Sequence, residues 1–103
     1  MVDTTPLTRA LDHFADRLRA APQSRLQRGA AAEALALARE LAGWTQRVEE
    51  PGSEPRTMPD AGMFAAADQL LVAGHDLAHV LESDGEVAEA VRLVEEARGR
   101  AGV

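Results

Sequence analysis

Four stretches of the chain, roughly Pro6 to Ala21, Arg25 to Val48, Ala61 to Leu81 and Gly85 to Arg100, repeat apolar residues every three or four positions. That is the period of a helix with one buried face, because successive side chains turn by about 100° around the axis. Each stretch also opens or closes on a stop signal. The pattern therefore predicts an all-α fold, an antiparallel up-down-up-down four-helix bundle with a long central hairpin of the second and third helices. At 103 residues, a single helical domain over 1-103 can bury one core without staples.

Thr5 reads as the N-cap of the first helix, with Pro6 at the first helical position, where its missing N–H costs nothing. Leu7, Leu11, Phe14 and Leu18 mark its buried stripe, Pro22 ends it, and Ser24 is placed to cap the second helix. There Leu26, Ala30, Ala34, Leu37, Leu41, Trp44 and Val48 share one side, which Ala31, Leu35, Ala38 and Ala42 widen to about half the circumference. A helix so broadly apolar must touch more than one neighbour. Residues 49-60, EEPGSEPRTMPD, contain three prolines and a glycine, which exclude regular structure. This long connection reads either as a crossover between antiparallel helices or as a recognition loop.

Asp60 is placed to cap the third helix, whose apolar members are Met63, Phe64, Ala67, Leu70, Leu71, Gly74, Leu77, Ala78 and Leu81. Ser83-Asp84-Gly85-Glu86 reads as a capping box for the fourth, with Val87, Ala90, Val91, Val94 and Ala97 as its stripe. Short links between helices one and two, and between three and four, predict antiparallel neighbours. Small residues, Ala30, Ala34, Ala38 and Ala42 on one side and Ala67, Gly74 and Ala78 on the other, let the two central helices approach closely.

Charge and composition exclude several function classes. The formal net charge is −6, every basic residue is arginine, and the arginines are interspersed with carboxylates, so nucleic acid is not an expected partner. Cysteine is absent, which removes disulfides, thiolate metal sites and thiol nucleophiles. The opening MVDTTPLTRA lacks a basic start followed by an apolar run, and no stretch reaches the roughly 18 apolar residues of a membrane span. A cytoplasmic protein without a membrane partner is expected. Ser24, Ser53 and Ser83 sit at caps or in the loop, away in sequence from any histidine, and no GxGxxG or GKS/T string occurs. Neither catalysis nor a cofactor is expected.

The chemistry-bearing segment is Gly74-His75-Asp76-Leu77-Ala78-His79, because histidines at i and i+4 project from one helix face. His75 and His79 share a polar strip with Asp68, Val72 and Glu82, with Asp76 and Gln69 beside it. The strip can be solvated surface, or a divalent metal site using His75, His79 and Glu82, suited to zinc or nickel. It can equally be a partner-binding surface, since Val72 is an apolar residue stranded among His75, His79 and Asp68. His13, near Arg9, Asp12 and Arg17, reads as solvent-facing.

The same segment resembles the histidine phosphotransfer family, small acidic four-helix bundles with an exposed phosphorylated histidine midway along a helix. Gly74-His75-Asp76-Leu77 matches the first half of that family's pattern, a small residue, the histidine, any residue and an apolar one. Ala78 and His79 stand where the family has lysine and glycine. The resemblance implies His75 as the residue that would carry phosphate in a phosphorelay. Trp44 reads as a core or subunit-contact residue; Gln46 occupies the glycine position of the Trp-x-Gly turn found in secreted helical-hairpin proteins. The broad apolar arcs of helices two and three also permit a homodimer. The expected function is a protein-protein interaction or regulatory module, with Val72, His75, His79, Asp68 and Trp44 as its partner-binding residues.

Overall fold

A computed structural model describes residues 2-103, and these form α1 (Thr5–Ala20), α2 (Gln23–Arg25), a π-helical turn (Leu26–Ala30), α3 (Ala31–Glu49), a 3-10 turn (Met63–Ala65), α4 (Ala66–Ala78) and α5 (Asp84–Ala101). Among the described residues there is no strand, so the four long helices make an all-α bundle. The core is the one the periodicity marks. Leu7, Leu11, Phe14, Leu37, Leu41, Leu70, Leu77 and Val94 are at most 2% exposed, and burying each such side chain is worth about 1.5–3 kcal/mol before entropy is charged against it.

Local signals acted mostly where expected, with shifts that have physical causes. Ahead of α1, the Asp3 carboxylate, not Thr5, accepts a backbone hydrogen bond, from Thr5 N–H at 2.9 Å. Thr5 is already the first helical residue. Ser24 lies inside α2 and caps nothing, since the helix starts directly after Pro22. The second predicted helix is bent at Gly29, whose φ of 149° is open to glycine but strained for residues with a Cβ. That bend lets Leu26 reach the core before α3 sets off in its own direction.

Asp60 organises a turn instead of capping a helix. Its Oδ1 accepts from Gly62 N–H at 2.8 Å, Gly62 takes a φ of 96°, and α4 begins only at Ala66. The other end closes early. Backbone N–H groups of His79 and Val80 bond back three residues, to Asp76 and Leu77, and the tightened turn stops α4 at Ala78. Ser83 caps α5 as expected, accepting from Glu86 N–H at 3.1 Å, while Glu86 reaches back to Glu82 N–H at 2.9 Å.

The predicted central hairpin is not formed, because α3 and α4 run parallel. A groove near the starts of both helices brings Ala31, Ala32 and Leu35 together with Met63, Ala66 and Gln69. Near their far ends, Ala42, Thr45 and Glu49 meet Asp76. Residues 50-62 make this possible by returning along the groove as a strap. Short links do reverse the chain, yet they join helices across the diagonals of the bundle. The packed pairs are α3 with α4, α1 with α4, α1 with α5, and α3 with α5. α1 and α4 are antiparallel, since Arg19 meets Asp68 while Leu11 faces Gly74.

The small residues serve this arrangement. A Cβ on Gly74 would lie 2.3 Å from Leu11 Cδ1, so the closest glycine contact joins α4 to α1, and not to α3 as the alanine rows implied. Arginines that alternate with carboxylates in sequence gather in space. Arg17, Arg19, Arg25, Arg98 and Arg100 collect where α1 and α5 end and α3 begins. Glu49, Glu50, Glu54, Glu82, Asp84 and Glu86 lie toward the opposite end.

Candidate functional site

α4 has two faces of opposite character. Ala66, Leu70, Ala73 and Leu77 turn into the core and are at most 3% exposed. Asp68, Val72, His75 and His79, spaced by three or four residues, stack on the outward side and are all exposed. Val72 is 60% exposed, so the polar strip with one stranded apolar residue is assembled as its spacing predicts. His79 falls one position beyond α4 but keeps helical backbone angles, φ −72° and ψ −19°, and continues the row from His75. Asp68 Oδ1 accepts from Arg19 Nη2 at 2.6 Å. Both side chains are largely in water, so the pair orients Asp68 more than it stabilises the fold.

Glu82 lies apart from this row, in the turn before α5. Among the described residues no group of three or more His, Asp or Glu side chains is placed to hold a metal ion, so His75, His79 and Glu82 are not gathered into a ligand set. Phe64 joins the strip instead. Its place in the predicted apolar stripe argues for burial, yet it is 73% exposed. The positive φ of Gly62 and the 3-10 turn set the chain's entry so that Ala66 and Ala67 point inward and Phe64 outward. It borders Arg19, Leu18 and Ala67 one turn before Asp68. The outer strip therefore runs from Phe64 through Asp68, Val72 and His75 to His79, with Leu71 half-buried along its edge.

Trp44 is not part of that surface. It follows Glu33 and Leu37 at helical spacing along α3, and Glu33 Oε2 accepts from Arg100 Nε of α5 at 3.0 Å. Trp44 thus sits on the α5 side of α3, half-buried against the core. Val48, expected on the same apolar side, is 45% exposed near the helix end.

The strap beside this strip is held by side chains that sequence reasoning passed over. Gln46, buried on α3, donates from Nε2 to the Glu54 carbonyl at 2.7 Å and accepts at Oε1 from Arg56 N–H at 3.0 Å. Arg39 donates to the Met58 carbonyl and Gln69 to the Pro59 carbonyl, each at 2.8 Å. Arg56 forms a two-pronged pair with Glu50, at 3.1 and 2.5 Å. Hydrogen bonds from that guanidinium, and then its charge, hold the Glu50 carboxyl below its ordinary value. One signal could have exposed Gln46 in advance. It is a polar residue on the apolar arc of its helix, level with Leu35 and Ala42, where a buried amide needs partners.

Compared with protein-family models, with curated proteins and with solved structures, the chain finds no match.

Proposed function

We propose that this chain is a non-catalytic, acidic helical module that works in the cytoplasm by binding another protein through the outer face of α4. The observation that carries this reading is the exposure of two large apolar side chains, Phe64 at 73% in the turn that leads into α4 and Val72 at 60% on its outer face. Scattered exposed apolar residues are ordinary, but two on the same outward row and bordered by Asp68, His75 and His79 make a small apolar centre with a polar rim. Among the described residues no helix is long and apolar enough to cross a membrane.

The test is affinity capture from the host's lysate with wild type and with a Phe64→Ser/Val72→Asp variant. A protein retained by wild type and lost by the variant, with unchanged thermal melting, is the expected result. A protein retained equally by both, or no retained protein for a chain that also stays monomeric, overturns the reading. Phe64 and Val72 lie outside the core, so the melt should hold.

A further inference from the structure

The residues on the outer face of α4 are complementary to themselves. When two identical helices cross antiparallel about a two-fold axis, every residue meets the one lying equally far beyond the axis. For an axis between Leu71 and Val72, Phe64 meets His79, Asp68 meets His75, and Leu71 meets Val72. All six belong to the strip just described, so each is matched by another member of the same face. The matches are also chemically apt. Apolar side chains meet at the centre, a carboxylate faces an imidazole on either side, and an aromatic ring lies against an imidazole at each end.

We infer that this face pairs with the same face of a second copy of the chain, two α4 helices crossing antiparallel about the Leu71/Val72 position. The inference rests on the reading of the face as a binding surface and names its partner. One neighbouring register is poorer. With the axis on Val72 itself, Asp68 opposes Asp76 of the other copy, and like charges in contact disfavour that pairing. The chain's net charge of −6 opposes association at long range, but Asp68, the one carboxylate in the strip, is already matched by Arg19 of its own chain. Beyond about 8–10 Å the remaining charges are screened at physiological salt. Val48, the other exposed large apolar side chain among the described residues, is isolated beside Glu49 and Glu50 and offers no comparable match.

The contact is a single helix face, so a weak dimer is expected. Sedimentation equilibrium of the full chain from about 10 μM to about 1 mM should show a monomer-dimer equilibrium with a Kd inside that range. Val72→Asp should raise the Kd at least about tenfold, because it buries two symmetry-related charges, one from each copy, in a small interface. His75→Asp should also weaken pairing, and adding Asp68→His should restore it by exchanging the two ends of the match. Because the chain has no cysteine, Val72→Cys gives a second readout. It should form an intermolecular disulfide on mild oxidation far faster than Ala88→Cys, which is exposed on α5.

A monomer at every concentration, with Val72→Cys cross-linking no faster than Ala88→Cys, overturns the self-pairing. So does a dimer that Val72→Asp leaves intact. If a different protein is captured in a Phe64- and Val72-dependent way while the chain stays monomeric, self-pairing fails and the binding reading survives.

Discussion

The chain enters α4 and leaves it by connections built on different principles. The exit, between His79 and Ser83, is closed by partners no more than four residues apart: Ser83 with Glu86, and Glu86 with Glu82. The entrance, residues 50-62, depends on partners 8 to 19 residues away, with Gln46 holding Glu54 and Arg56, Arg39 holding Met58, and Gln69 holding Pro59. The short turn only reverses the chain. The strap carries it back along the whole of α3, and so decides that α3 and α4 run parallel and that the outer strip of α4 stays uncovered. A connection that stops one helix can be written in four residues, whereas one that sets the relative direction of two helices has to be read against the surface it crosses.

Removing the anchor of the strap should have the largest effect. In Gln46→Ala the Glu54 carbonyl and Arg56 N–H lose their partner together, a change expected to cost about 2 kcal/mol, since each lost hydrogen bond is worth about 1 kcal/mol. Urea denaturation measures the loss. Trypsin reports the cause, because the Arg56-Thr57 bond should be cut several-fold faster once the strap is freed. A variant equally destabilised but cut at the wild-type rate would show that covering α3, and not the Gln46 amide, holds the strap down.

The same contrast explains how much was legible in advance. Leu7, Leu11, Phe14 and Leu18 were readable because periodicity depends on the helix alone, and Ser83 was readable because a cap satisfies its neighbours' N–H groups. Asp68, Val72, His75 and His79 were legible as one strip for the same reason: helical spacing fixes which residues share a face. The direction of α4 was not legible. Three prolines and a glycine exclude a helix over 49-60 but do not say whether the loop crosses an end or returns along a side. Phe64 was not legible: its spacing, four residues before Asp68 and eight before Val72, puts it on the outward row, but a large apolar side chain reads as buried. Trp44 was grouped with the strip only as a large aromatic, and its own helical row places it toward α5.

If the exit turn is local in the sense argued, its loss should be smaller and should not reach the strap. Ser83→Ala removes the side-chain acceptor for Glu86 N–H and should cost about 1 kcal/mol, the usual worth of an N-cap. Trypsin cleavage after Arg56 should stay at the wild-type rate. Faster cleavage would mean that α5's cap and the strap are energetically one unit, and the contrast between the two connections would collapse.

The smallest effect belongs to the exposed pair between Glu50 and Arg56, which pins the start of the strap to its middle. Arg56 holds Glu50's folded pKa below its ordinary value, so the pair's stabilisation is present above the unfolded pKa and is lost as pH falls through the lower, folded value. Solvent and salt screen such a pair, so little stability is at stake. Glu50→Gln should therefore melt slightly below wild type at neutral pH, and the two melting curves should converge on acidification as wild-type Glu50 takes up its proton. At neutral pH the variant should also be cut after Arg56 a little faster than wild type, and much more slowly than Gln46→Ala. A cleavage rate matching Gln46→Ala would move the anchor of the strap from the buried amide to the surface ion pair, and would make the strap's hold salt-dependent.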